Sequence, residues 1–153
     1  MSSPASPSTA DRGQRVLVLI VAECDGESVV AELMRHQHTH AEIKLVAPIV
    51  GNRLEYYIFG DDHKSRPEAQ HRLDDVLKAF ERHDVHVMAQ LGDMNPLQTI
   101  EDELVTFAPD ELVIVVHPND EQRWFERHLP EDAQKRFGLP TTILHSAATS
   151  AAV

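Results

Sequence analysis

The stretch from Val85 to His117, VHVMAQLGDMNPLQTIEDELVTFAPDELVIVVH, constrains this chain more than any other. It reads as strand, turn, helix and strand in one unbroken series. A strand that returns parallel to its predecessor needs a crossover, and a helix is the usual one, so this is a βαβ unit of a parallel sheet. Asn95 stands where an N-cap belongs, with Pro96 at the first helical position and Gln98 three residues past the cap. Leu97, Ile100, Leu104 and Phe107 recur at three- and four-residue steps and form one apolar helix face, which leaves Glu101, Asp102 and Glu103 mostly on the outer side. Pro109 stops the helix. Leu112 to Val116 is a continuous branched apolar run, as a central parallel strand buried on both faces requires.

The rest of the chain repeats the unit. Met1 to Gly13 is rich in Ser, Pro and Ala and reads as a disordered tail before a domain over 14–146. RVLVLIVA, Arg15 to Ala22, is a central first strand, and Glu23-Cys24-Asp25-Gly26 is the turn after it. A helix follows from Glu27 to Arg35, with Val29, Val30, Leu33 and Met34 inward. Ile43 to Ala47 is the second strand, closed by Pro48. Ile49 to Lys64 is long for a connection and holds Tyr56, Tyr57, Ile58 and Phe59, which fold down over the core or form a lid or partner surface. Ser65-x-x-Glu68 has the form of a capping box, and Ala69, Leu73, Val76, Leu77 and Phe80 then share a helical face. Val85 to Leu91 alternates in part, which suits a strand nearer an edge. Glu121 to Leu129 and Glu131 to Phe137 read as helix broken or restarted at Pro130, Pro140 to His145 as a short last strand, and 147–153 as a frayed end.

The order βαβαβαβαβ gives a parallel sheet with helices on its faces, doubly wound if the strand order reverses once. Ligands of such sheets bind at the carboxyl ends of strands where the order reverses. That points to the loops after the first, third and fourth strands.

Charge and composition narrow the function classes. The formal net charge of -11, with no cluster of Lys and Arg to offset it, repels phosphate backbones, so nucleic-acid binding is not expected. No apolar run reaches membrane-spanning length, and the N-terminus lacks a secretory pattern, so the expected location is the cytoplasm. A single cysteine, Cys24, excludes an intrachain disulfide.

At this point the chain resembles the universal stress protein family over nearly its whole length, from Arg15 to His145. The residues that carry the resemblance are Val46-Ala47-Pro48, Gly92-Asp93-x-x-Pro96, the strand Asp110 to Val115, and the closing Leu139 to Leu144. His117-Pro118 and Trp124-Phe125-Glu126-Arg127 resemble a divergent branch common in actinobacteria. The resemblance implies a five-stranded parallel sheet ordered 3-2-1-4-5, of adenine-nucleotide alpha-hydrolase-like architecture. It implies a homodimer, often joined through the last strand, and a role in stress response through a small ligand or a protein partner rather than through turnover. The ATP-binding branch of the family has G-x-x-G and then G-[ST] after its fourth strand, where backbone N–H groups and a helix N-terminus hold the phosphates. Here the sequence reads HPNDEQRWFERHLPEDAQKRFG, without a glycine between Gly92 and Gly138, and Asp120 and Glu121 stand where phosphates would sit. Tight ATP binding is therefore not expected. AMP or another adenosine ligand remains open, because strand-end backbone alone can hold adenine. The candidate ligand-binding residues are Ala22 and Glu23 after the first strand, Ala47 and Pro48 after the second, Gln90, Gly92 and Asp93 at the third, and His117 after the fourth.

Other chemistry is weaker. His36-x-His38-x-His40 places three imidazoles on one side only if the segment is extended, and the plainer reading is a solvated helix end, so no physiological metal site is expected there. Glu23 and Asp25 flank Cys24 and disfavour its thiolate. Trp124 and Phe125 form an aromatic pair suited to core packing or to an interface. His117 lies in the expected crevice and, with Glu23 or Asp25, is the pair an enzyme would use. No motif names a nucleophile or a catalytic set, so a binding protein is the first expectation, with an adenine-nucleotide binder using a non-standard phosphate loop second.

Overall fold

The computed structural model describes residues 14–35, 41–49, 65–93, 95–117 and 124–145. The N-terminal tail, the HQHTH segment, the Tyr56 to Phe59 cluster, Asp120 and Glu121, and the C-terminal end lie outside these residues. The side chains of Ser65, Trp124 and Phe125 also lie outside the description, so the capping-box and aromatic-pair readings stay untested.

Five strands and four helices alternate: β1 Arg15–Ile20, α1 Gly26–Arg35, β2 Glu42–Ala47, α2 Ser65–Arg82, β3 Met88–Leu91, α3 Pro96–Thr106, β4 Glu111–Val116, α4 Trp124–Phe137 and β5 Thr141–His145. All pairings are parallel, and the order is β3-β2-β1-β4-β5, as the resemblance implies. The order reverses at β1, which pairs β2 on one edge and β4 on the other.

Strand alternation divides the core in two. Val16, Val18 and Ile20 face α1 and α2 together with Leu45, Val113 and Val115. Leu17, Leu19 and Val21 face the other side with Ile100, Phe107, Leu129 and Ala133. After their first residues, Arg15 and Glu111, β1 and β4 are buried on both faces, which is why the sequences there are apolar without a break.

The helix ends follow local chemistry. Asn95 Oδ1 accepts from the N–H groups of Leu97 at 2.9 Å and Gln98 at 3.4 Å, and Pro96 follows at the first helical position. Ala108 takes a left-handed φ of 53° and its N–H bonds the Glu103 carbonyl, so α3 is closed just before Pro109. Asp84, at φ 58°, closes α2 in the same way, with the Val85 N–H returned to the Phe80 carbonyl. That bond delays the third strand, which starts at Met88 rather than Val85, although Val85 and Val87 still pack against the core.

Two further expectations fail. Helix α4 runs through Pro130 without a break. Leu129 and Ala133, one turn apart across the proline, are both buried on the sheet, and that anchoring on either side offsets the hydrogen bond that proline cannot donate. Glu103 is not on the outer face of α3. It is buried, and its Oε1 lies 2.7 Å from Lys44 Nζ of β2, itself nearly buried. Residues 100, 103 and 107 fall on one stripe of a 3.6-residue helix, so position, not charge, decides where Glu103 points.

Candidate functional site

The eight candidate residues fall into two groups. Ala47, Pro48, Gln90, Gly92 and Asp93 gather at the carboxyl ends of β2 and β3, while Ala22, Glu23 and His117 follow β1 and β4 at the reversal point.

The β2–β3 group is largely occupied by its own backbone. Gly92 N–H donates to the Ala47 carbonyl at 2.8 Å, and Ile49 N–H donates to the Asp93 carbonyl at 3.0 Å, which carries the ladder past the strands. Buried Arg72 of α2 donates from Nη2 to the Pro48 carbonyl at 2.8 Å. Adenine recognition by backbone needs one N–H and one carbonyl side by side. Here the carbonyls keep a second lone pair, but Pro48 has no N–H and that of Ile49 is committed. Asp93 shapes the entry to α3: its Oδ1 accepts from Asn95 N–H at 3.0 Å, and its own N–H donates to Thr99 Oγ1 at 2.9 Å. Gly92 has to be glycine, because a Cβ there would lie 2.6 Å from Thr99 Cγ2. Gln90 is exposed on the edge strand.

At the reversal point the β1–β4 ladder extends by one bond, from Val21 N–H to the Val115 carbonyl at 3.0 Å. Ala22 is buried and Glu23 exposed. Asp25 caps α1: its carbonyl accepts from Ser28 and Val29 N–H, and its carboxylate accepts from Glu27 N–H and the Ser28 hydroxyl. That carboxylate is therefore engaged by the helix, not poised as a base for His117. His117 is half-buried, and its carbonyl lies 3.4 Å from His145 Nδ1 at the end of β5.

A cleft of about 350 Å³ opens beside this point, between α1 and the ends of β4 and β5. Cys24, Asp25, Ser28 and Glu32 form one wall, and Leu144 and His145 part of the other. Its volume suits a small molecule. None of the eight candidates lines it, although Glu23 adjoins Cys24 in the chain and His117 touches His145. On this face α1 and α2 pack over the β1–β2–β3 side, and β5 extends beyond them. In the sequence, Ser28 and Glu32 look like an ordinary solvent-facing edge of α1. Only the placement of β5 next to β4 supplies the opposite wall.

Burial, and then the carboxylates of Glu23 and Asp25, push the Cys24 thiol up to about 12, against a weaker opposing pull from Arg72. The folded state thus keeps a proton that the unfolded chain releases near pH 9. Above that pH the unfolded state binds fewer protons, so stability falls as pH rises toward 12, by at most about 1.4 kcal/mol per pH unit. Urea midpoints at pH 8 and pH 10 should separate more for the wild type than for Cys24→Ala. Equal separation would show that the thiol titrates alike in both states. In the folded protein Cys24 should also resist thiol reagents at neutral pH until urea is added.

No family model matches this chain, and no curated protein matches it in sequence. Solved structures match its fold. A universal stress protein family protein from Arabidopsis thaliana with AMP bound is 14% identical, with a TM-score of 0.60 over 90% of this chain and 94% of that one. A universal stress family protein from Burkholderia pseudomallei is 15% identical, with a TM-score of 0.60 over 87% and 96%. The universal stress protein from Archaeoglobus fulgidus is 13% identical, with a TM-score of 0.56 over 89% and 98%. The chain therefore has the fold of the universal stress proteins, with the sheet order expected of it. Among the described residues no helix is long and apolar enough to cross a membrane.

Proposed function

We propose that this chain is a non-catalytic binding protein of universal stress type, acting in the cytoplasm as a homodimer and holding a small ligand in the cleft between α1 and β5. The cleft is the observation that carries the reading. It lies at the carboxyl ends of β4 and β5 against the loop after β1, where doubly wound sheets bind their ligands. Its apolar floor, from Val29, Val115 and Leu144, suits a partly apolar molecule. The Asp25 carboxylate on its wall, with Glu32 paired to Arg35 beside it, favours a neutral or cationic molecule over a phosphate. Among the described residues no strand pairs the outer edge of β5, and an unpaired edge strand is a ready pairing surface, which supports the dimer.

Amide NMR spectra with a small-molecule mixture test the cleft. Perturbations are expected at Ser28, Glu32, Val115 and His145, and Ser28→Trp, at an exposed helix position, should abolish them while leaving the fold intact. Perturbations unchanged by Ser28→Trp would overturn the reading.

A second reading, AMP binding, is favoured by the AMP held in the Arabidopsis neighbour. Against it stand the committed Ile49 N–H and the carboxylates of Glu23 and Asp25. Adding AMP to the same NMR sample decides between them. Shifts centred on Ala47 to Ile49 would establish nucleotide binding at the strand ends, shifts in the cleft would make AMP the ligand of the cleft, and no shifts would overturn AMP binding.

A further inference from the structure

We infer that Glu23, His71 and Asp75 form a binding site for a divalent transition-metal ion of the zinc class, at the seam between the loop after β1 and helix α2. The ligand atoms of these three residues all lie within 4.8 Å of one another. They come from two places in the chain, 48 residues apart at the nearest, and the packing of α1 on α2, with Glu27 paired to Arg82 and His83, brings those places together. Gly26, the first residue of α1, has no side chain, so the helix start rests directly on the backbone of Asp75 and on Ala79. Glu23, three residues upstream, is thereby carried to α2. There His71 and Asp75 stand four residues apart on one helix face, the spacing that lets two helical side chains share an ion.

The donor set selects the ion. One imidazole and two carboxylates suit zinc, cobalt or manganese, whereas magnesium and calcium prefer oxygen alone. Metal–ligand bonds of about 2.0–2.2 Å hold neighbouring donors roughly 3–4 Å apart. His71 Nε2 and Asp75 Oδ2 are already at 3.3 Å, and the exposed Glu23 carboxylate lies within 4.8 Å of both residues' ligand atoms. Two carboxylates this close repel each other, and a cation between them removes that repulsion. With three protein donors the ion would keep open positions for water or a ligand. The net charge of -11 draws cations toward the surface. The site adjoins the cleft through Cys24 but shares no lining residue with it, so failure of either assignment leaves the other standing.

The HQHTH segment is a rival ligand set, so the test uses a chain in which His36, His38 and His40 are glutamine. After chelator treatment, cobalt(II) is titrated and followed by its visible absorption and by paramagnetic broadening of amide signals. One ion per chain is expected, with broadening centred on residues 23, 71 and 75. His71→Ala, Asp75→Asn and Glu23→Gln should each weaken binding at least tenfold. All three positions are exposed or half-exposed, and circular dichroism checks that each variant folds. Cobalt affinity unchanged in the His71→Ala, Asp75→Asn double variant, or binding present only when the HQHTH histidines are restored, would overturn the assignment.

Discussion

Glu103→Ala is expected to lower stability by about 3–5 kcal/mol, the usual result of removing one partner from a buried ion pair. Lys44 Nζ lies 2.7 Å from Glu103 Oε1, and the two side chains are only 12% and 5% exposed. The alanine leaves the Lys44 ammonium in an apolar layer with the face of Phe107, 6.0 Å from its ring centroid, as a poor substitute. Thr106 Oγ1, 3.4 Å from the same carboxylate, loses an acceptor as well. For a domain of this size the melting midpoint should fall on the order of 10 °C. The test is a double-mutant cycle by urea denaturation. Lys44→Met combined with Glu103→Leu should recover most of the loss, because an apolar pair of similar volume is about as stable as a buried ion pair. A loss of less than about 1 kcal/mol in the single alanine variant would show that the pair is hydrated in solution.

Gly26→Ala should also be strongly destabilising, toward the upper end of the roughly 1–3 kcal/mol that overpacking costs. A Cβ at this position would lie 2.6 Å from the Asp75 carbonyl oxygen and 2.8 Å from the Ala79 Cβ. Neither atom can rotate out of the way, so α1 must lift from α2. Alanine's better helix propensity, worth about 1 kcal/mol in a helix interior, works in the opposite direction and is outweighed. Adding Ala79→Gly removes one of the two clashes and should restore part of the loss, not all of it. An unchanged urea midpoint for Gly26→Ala would mean that the two helices slide apart without penalty. The same lift would draw Glu23 away from His71 and Asp75, so this variant should bind cobalt more weakly than the wild type.

The contrast between Gly26 and Gly92 shows how much the sequence could tell. Gly92 was legible as a turn before a capped helix, since Asn95, Pro96 and the apolar steps after them are all local signals. Gly26 was legible only as a turn residue. Its main role, letting two helices touch, depends on residues 49 and 53 positions further along the chain, and no local pattern carries that. The strands and their order followed from continuous apolar runs and from the family resemblance. The Lys44–Glu103 pair left a trace in each half: a lysine inside a buried strand, and a glutamate on the stripe between Ile100 and Phe107. Read by position instead of charge, the two could have been matched. The candidate ligand residues lie near strand ends, and at β2 and β3 the backbone there is largely taken up by its own ladder. The cleft wall, by contrast, is made of polar residues whose neighbours lie about a hundred positions away.

Parallel pairing across the reversal point also sets the timing of folding. Val16 of β1 is matched with Glu111 of β4, and the innermost strand therefore has one empty edge until more than two-thirds of the chain has been made. Contacts so distant in sequence slow folding, because the entropy of closing the loop is spent before the strand is rewarded. A growing chain that has released β1, β2 and β3 from the ribosome carries an apolar ribbon, Val16 to Ile20, with unpaired N–H and C=O groups along one side. That ribbon is the segment most in need of a chaperone, and truncations ending before Glu111 should aggregate rather than fold.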